Sequence, residues 1–441
     1  MPAAPFVHHG SRQRSSGRAD GPRAPPRVKH LAPGGDDDAA AENVVFSPVS
    51  VHAALSLVAA GARGVTLAQL LAFLGAPSAE ELAEFGSLVS HSVLVDRISS
   101  DGPRVLFGGG IWVDDSRGEL TDAFCQVAVK SYKSKARTVS FSKEPEKAVK
   151  MINEWVKKAT DNLIDTIITR DDITALTDLV LANAVYFKGE WQDPFRSSCT
   201  YQSTFHRLDG SLVTADFMSA RGTRHVACMD GFKVLKLPYM PGEDEMEAGR
   251  RKRRRSGGAS VDSSPEDNTQ YSMFIFLPDN NNQEDGMKNM VDVVTAAPSS
   301  LYNILAETKE RYVKLILPKF KIAFSWGHLG DALNQLGLTL PFSPETADLS
   351  GVCEEEERVD DNDGSGSRRP VFVGQLAHQA VVEVNELGTE AAAVTSCVLY
   401  GCCRPPPDRV EFVADHPFSF FIVEERSGVI VFAGHVLDPT N

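Results

Sequence analysis

The sequence predicts a mixed α+β fold, with one large and mainly antiparallel sheet, further sheets and surrounding helices. Three observations carry that prediction. Helix signals come first and strand signals dominate from Leu179 onward, an order that favours α+β over alternating α/β. The run Leu179–Phe187 is apolar at nearly every position, as in a central strand covered on both faces. The stretch Glu386-Leu387-Gly388-Thr389-Glu390-Ala391-Ala392-Ala393-Val394-Thr395 reads as a strand held in reserve. Alternate side chains of a strand point to opposite faces. Thr389, Ala391, Ala393 and Thr395 then share one face and are small enough to slide between two existing strands. Glu390, Ala392 and Val394 take the other face, and Gly388 gives the backbone freedom of a hinge. Ala-rich segments are commonly helices, and this segment alone leaves both readings open.

Taken in order, Ser47-Pro48 sets a capping hydroxyl before a proline at the first helical position. The following residues, Val49 to Ala62, are apolar nearly all round, which predicts a helix inside a large core. Val105–Val113 reads as a strand and Asp122–Tyr132 as a helix. In Pro145–Ile168, Ala148, Ile152, Trp155, Ala159 and Leu163 recur at three- and four-residue steps, predicting an amphipathic helix across a surface. Asn183 inside the central strand needs a buried hydrogen-bond partner. Further strands are expected at Lys233–Leu237, Ser272–Leu277, Tyr312–Leu317, Val371–Val384, Phe418–Val423 and Val429–Phe432.

Composition narrows the classes. The 441 residues are 42% hydrophobic and 24% charged, as in an ordinary soluble globular protein. A formal charge of −14 argues against a nucleic-acid binder as a whole. Seven scattered cysteines form no zinc pattern and no small disulfide framework, so a reducing compartment is the simpler inference. No run reaches the roughly 18 apolar residues of a membrane span. Residues 1–42 carry Arg12, Arg14, Arg18, Arg23 and Arg27 amid Pro, Gly and Ser; they read as disordered, with a transit peptide as the other reading. Polar insertions near 243–270 and 354–369 read as solvated loops. The first contains Arg250-Arg251-Lys252-Arg253-Arg254-Arg255, a nuclear-targeting or weak phosphate-binding candidate set against a tolerated insertion with no partner.

With these pieces in place, the chain from Asn43 to Asn441 resembles a serpin of the plant group. The resemblance rests on Asn43-Val44-Val45-Phe46-Ser47-Pro48-Val49-Ser50, on Asn153-Glu154-Trp155-Val156, and on Leu181-Ala182-Asn183-Ala184-Val185-Tyr186-Phe187-Lys188-Gly189-Glu190-Trp191. Glu383-Val384-Asn385-Glu386 and Phe412-Val413-Ala414-Asp415-His416-Pro417-Phe418 complete it. It implies a single serpin-type domain over 43–441, with an exposed reactive loop at about 386–411. It implies a suicide-substrate inhibitor of a serine protease, with cysteine proteases as a second target class. The complex would be covalent and 1:1, formed by a monomer without cofactor, metal or membrane. Insertion of the cleaved loop as a new strand is an established property of serpins as a class, and the resemblance carries it.

The resemblance also assigns sites. Ser50, Asn183 and His378 match the polar cluster where the sheet opens; buried hydroxyl, amide and imidazole groups can satisfy one another there and exchange partners. Counting from Gly388 sets the bait bond between Cys402 and Cys403, whereas counting back from Phe412 gives Cys403-Arg404. Insertion demands a fixed length from the hinge, which favours the first. A cysteine bait suits a shallow apolar specificity pocket, and its oxidation would abolish recognition. Departures from the family pattern are a Pro/Gly/Asp-rich segment where a helix is usual before Asn43, Leu387 and Gln379 in place of a polar residue and a lysine, and the two polar insertions.

Rival classes are a non-inhibitory storage or structural serpin, which bulky, charged or proline residues at the inward-facing positions of Thr389–Thr395 would have favoured, and a nuclear protein acting through Arg250–Arg255. An enzyme fits least, since phosphate loops and nucleophile turns are absent. Absence of a signal peptide favours cytoplasm or nucleus, while the resemblance allows the extracellular space.

Overall fold

The computed structural model describes residues 42–97, 102–241, 270–279, 283–327, 329–354, 369–389 and 409–441. Strand β1 (Val44–Phe46) leads into α1 (Pro48–Gly61), where the Ser47 hydroxyl accepts the Ser50 N–H at 3.3 Å. Helix α2 (Gly64–Leu74) stops at Gly75, whose φ of +71° is left-handed. Helix α3 (Ala79–Leu88) starts on the Ser78 hydroxyl with Glu81 three residues on, a capping-box pattern. Strand β2 (Arg104–Asp114), helix α4 (Asp122–Tyr132), strand β3 (Lys135–Val139), helix α5 (Pro145–Ala159) and strand β4 (Leu179–Glu190) follow.

Next come β5 (Thr200–His206), β6 (Leu212–Cys228), β7 (Phe232–Pro238), β8 (Tyr271–Pro278), α6 (Gln283–Val294), α7 (Ser300–Ala306), β9 (Lys309–Pro318), β10 (Phe320–Trp326) and α8 (Leu329–Gln335). The chain closes with β11 (Val373–Val384), the two-residue β12 (Gly388–Thr389), β13 (Val410–Val413), β14 (Phe418–Glu424) and β15 (Val429–Val436).

The α+β class holds, and the strands among the described residues form two sheets. The nine-stranded sheet runs β1-β15-β14-β8-β7-β6-β9-β13, with β5 on β6, and is antiparallel except where β13 joins β9. The six-stranded sheet runs β10-β11-β4-β2-β3, with β12 on β4. The central strand read from the sequence, β4, lies in this smaller sheet and meets β11 in parallel.

Each face of β4 is covered. Val185 and Phe187 pack with Leu235, Met273 and Phe420 of the other sheet, while Leu179 and Leu181 pack with Leu57 and Val58 of α1. On the opposite face, Val180, Ala182, Ala184 and Tyr186 meet Ile152 and Val156 of α5. Burial on both sides explains the unbroken apolar run.

One element departs from the sequence expectation. The amphipathic helix ends at Ala159 rather than Ile168. Asp161 and Asn162 turn left-handed at φ 50° and 64°, and the Thr160 hydroxyl takes the Ile164 N–H at 3.1 Å, which ends the helix despite the continuing period. Ile164, Ile167 and Ile168 still pack against the sheet, as a crossing segment and not as a helix. Residues 1–41 and most of both polar insertions, including Arg250–Arg255, lie outside the described residues.

Candidate functional site

The join between β4 and β11 carries two of the singled-out residues, Asn183 and His378. Asn183 and His378 face each other across it. Both are buried, at 1% and 0% exposure, so each polar atom needs a partner. The His378 Nδ1 lies 3.3 Å from Asn183 Oδ1, and its Nε2 accepts the Ser47 backbone N–H at 3.1 Å. Only the neutral ring with hydrogen on Nδ1 satisfies both contacts. Burial pushes its pKa down to about 4. The Asn183 amide donates to the Ser50 carbonyl at 2.7 Å.

The three predicted residues are therefore brought together, with one difference. The Ser50 hydroxyl turns back to the Ser47 carbonyl at 3.1 Å, and Ser50 joins the cluster through its backbone. Ser47, read from the sequence only as a helix cap, is the missed member. Its capping role was visible, but a backbone N–H aimed at an imidazole 331 residues away was not.

The segment read from the sequence as a hinge begins at the upper end of the same join. Asn385 forms a tight turn, its side-chain oxygen accepting the N–H of Leu387 at 3.0 Å and its own N–H bonding the Gly388 carbonyl at 2.8 Å. The Leu387 and Glu386 carbonyls accept the backbone N–H groups of Trp191 and Phe195 at 2.8 and 2.7 Å. Glu386 takes a hydrogen bond from Thr200 at 2.8 Å and an ion pair from Lys319 at 3.2 Å. Burial opposes its charge, but its own N–H, Thr200 and Lys319 together hold the carboxyl below the usual range.

Gly388 and Thr389 then pair antiparallel with Glu190 and Gly189 as β12. A Cβ on Gly388 would come within 2.0 Å of the Gly189 carbonyl oxygen, so glycine is required by close approach. Thr389 is fully buried, with its hydroxyl 3.0 Å from that of Tyr239. Burial raises the Tyr239 phenol pKa, and its ring stacks on Trp191 at 4.6 Å. Lys319, Thr200 and Tyr239 had no sequence signal as hinge partners, because each contact spans 67 to 186 residues of chain.

The remaining hinge residues, Glu390, Ala391, Ala392, Ala393, Val394 and Thr395, lie outside the described residues, as do Cys402 and Cys403. Gln379 is half-buried on β11, and its side-chain oxygen has no hydrogen-bond partner among the described residues.

Comparison with known proteins identifies the family and the fold. The family profile described as "Serpin (serine protease inhibitor)" matches residues 35–439. Serpin-Z2A of rice is 43% identical over 414 residues, covering 91% of this chain and 92% of that protein. Serpin-Z7 of barley is 39% identical and covers 92% of each. Among solved structures, Arabidopsis AtSerpin1 in its native stressed conformation superposes with a TM-score of 0.74 at 34% identity, covering 91% of this chain and 92% of that one.

Proposed function

The chain belongs to the serpin family, whose members are typically serine protease inhibitors, and on that premise we propose that it traps a serine protease as a suicide substrate. The observation that carries the reading is the parallel join of β4 and β11 with the loop root already paired at its upper end. Parallel pairing is somewhat weaker per residue than antiparallel pairing. A strand entering between β4 and β11 in the direction of β12 would be antiparallel to both, so one parallel join would give way to two antiparallel ones.

The pairing set by Gly388 and Glu190 can be continued one residue at a time. It brings Ala391 opposite Phe187, Ala393 opposite Val185 and Thr395 opposite Asn183, where small side chains are needed. About a dozen new net hydrogen bonds at roughly 1 kcal/mol each give on the order of ten kcal/mol. That rivals the whole stability of an ordinary domain.

The chemistry starts at the bait. The protease serine Oγ attacks the Cys402 carbonyl carbon, the Cys402–Cys403 bond breaks, and the new amine of Cys403 leaves with the proton relayed by the protease histidine. Cys402 stays bonded to the serine as an ester. Insertion then carries the protease away before water reaches that ester.

The test is incubation with chymotrypsin-, elastase- and trypsin-like proteases, followed by denaturing gels and mass spectrometry. A complex that survives SDS, with a released peptide beginning at Cys403, supports mechanism and bait together. Cleavage without a complex would replace this reading with the non-inhibitory one.

A further inference from the structure

At the end of the β4–β11 join remote from the hinge stands a second polar cluster, outside the sites already described. Asp178 precedes β4, and its side chain is 3% exposed. Arg369, which leads into β11, grips it with both arms, Nη1 at 2.7 Å from Oδ2 and Nη2 at 2.9 Å from Oδ1. The same Nη2 donates to the Leu176 carbonyl at 3.1 Å, and the guanidinium sits 5.2 Å from the centre of the Phe372 ring. Arg117, in the turn after β2, places Nε 3.5 Å from Asp178 and donates from Nη2 to the Arg369 carbonyl. One cluster thus ties the ends of β2 and β4 to the start of β11.

We propose that the Arg369–Asp178 pair is a latch that sets how fast the last part of the inserting strand can enter. This rests on the loop-insertion reading above. Bidentate arginine–carboxylate pairs are among the stronger side-chain contacts. Asp178 is 3% exposed and Arg369 34%, so parting them leaves a buried carboxylate with one charged partner fewer, Arg117 remaining at 3.5 Å. β4 and β11 can separate around Asn183 while the latch stays closed, but not along their full length. Continuing the β12 pairing brings residue 400 opposite Asp178, so the final residues of a strand cleaved after Cys402 arrive at the latch. Insertion then has an early stage governed by the His378–Asn183 contact and a late one governed by Arg369, a positioning residue.

The experiment adds synthetic peptides to the intact protein and follows their uptake by native electrophoresis. One peptide has the sequence of residues 388–401 and reaches the latch; the other, 388–394, stops short of it. Arg369→Ala is expected to take up the long peptide about tenfold faster than the wild type, and Arg369→Lys, which loses the two-armed grip but keeps the charge, about threefold faster. The short peptide should enter all three at one rate. Val234→Ala, a core truncation in the nine-stranded sheet, should change neither rate; should Arg369→Ala not fold, Arg369→Lys still carries the test.

Equal long-peptide rates in wild type and variants would overturn the latch. Equal acceleration of both peptides, or the same acceleration by Val234→Ala, would reduce it to general destabilisation and overturn it as well. If the wild type took up neither peptide, the insertion reading itself would fall and the latch with it.

Discussion

The two sheets of this molecule are built for opposite ends. In the nine-stranded sheet, β7, β8 and β14 join antiparallel and interlock large rings: Phe276 lies 5.3 Å from Phe421 and 6.2 Å from Phe232, centre to centre. The join of β4 and β11 has small side chains at the middle of its α5 side, Ala182 and Ala184 with Ala377, and a few side-chain polar contacts add to its parallel backbone ladder. Those contacts are the Trp191 Nε1–H donating to the Asn385 carbonyl at the top, His378–Asn183 in the middle and Arg369–Asp178 at the bottom. Aromatic interlocking makes a body that resists change. On the proposed mechanism, small residues and exchangeable polar bonds mark the place where strands part.

The largest expected effect would test the rigid side. Phe276→Ala should cost about 3–5 kcal/mol of stability, read as a lower urea midpoint, in both the intact protein and the loop-cleaved form. A cleaved form spared by this change would mean that the two sheets do not differ as described.

The next test uses pH. Burial holds the folded-state pKa of His378 near 4, below its ordinary 6.5, so the fold favours the neutral ring. Its contribution is full above pH 6.5 and is lost as pH falls toward 4, because the unfolded chain binds the proton first. The expected slope is about 1.4 kcal/mol per pH unit in that window. His52 and His435 are lowered to about 4 by burial as well, so His378→Gln should remove only its own share of the acid sensitivity, measured as urea midpoints at pH 5 and pH 7.

Asn183→Ala leaves the His378 Nδ1–H and the Ser50 carbonyl without their partner, at about 2 kcal/mol. It should destabilise the intact protein far more than the cleaved one, a difference that calorimetry of the two forms measures directly. Equal losses would make Asn183 an ordinary core residue. The smallest effect comes from Thr389→Val, which keeps the shape and removes the bond to Tyr239. About 1 kcal/mol is at stake there, visible as faster protease digestion of the loop root.

How much could be read beforehand depended on where each signal lies. β4 and α1 were legible because burial on all sides writes itself into consecutive residues. β6 was not, since Thr214, Asp216, Arg221 and Thr223 face solvent and interrupt any apolar run. The helix α5 was overrun because Leu163 continues its period, while the chain reverses at Asp161 and Asn162. Asn183 and His378 announced themselves as polar residues in apolar strands, which fixed the need for partners but not who they are. Ser47, Lys319 and Tyr239 answer through contacts that only the folded chain brings near. Asp178 and Arg369 gave no sign, being charged residues at the ends of elements, where charge is ordinary.

Gly388 and Gly189 touch where a single added carbon would collide with a carbonyl oxygen. A side chain at position 189 fares no better, since its Cβ would meet the Tyr239 ring at 2.8 Å. Neither position can be altered with the other as compensation, because each is confined by a different neighbour. On the proposed mechanism, the root of the loop is thereby closed to substitution at both positions.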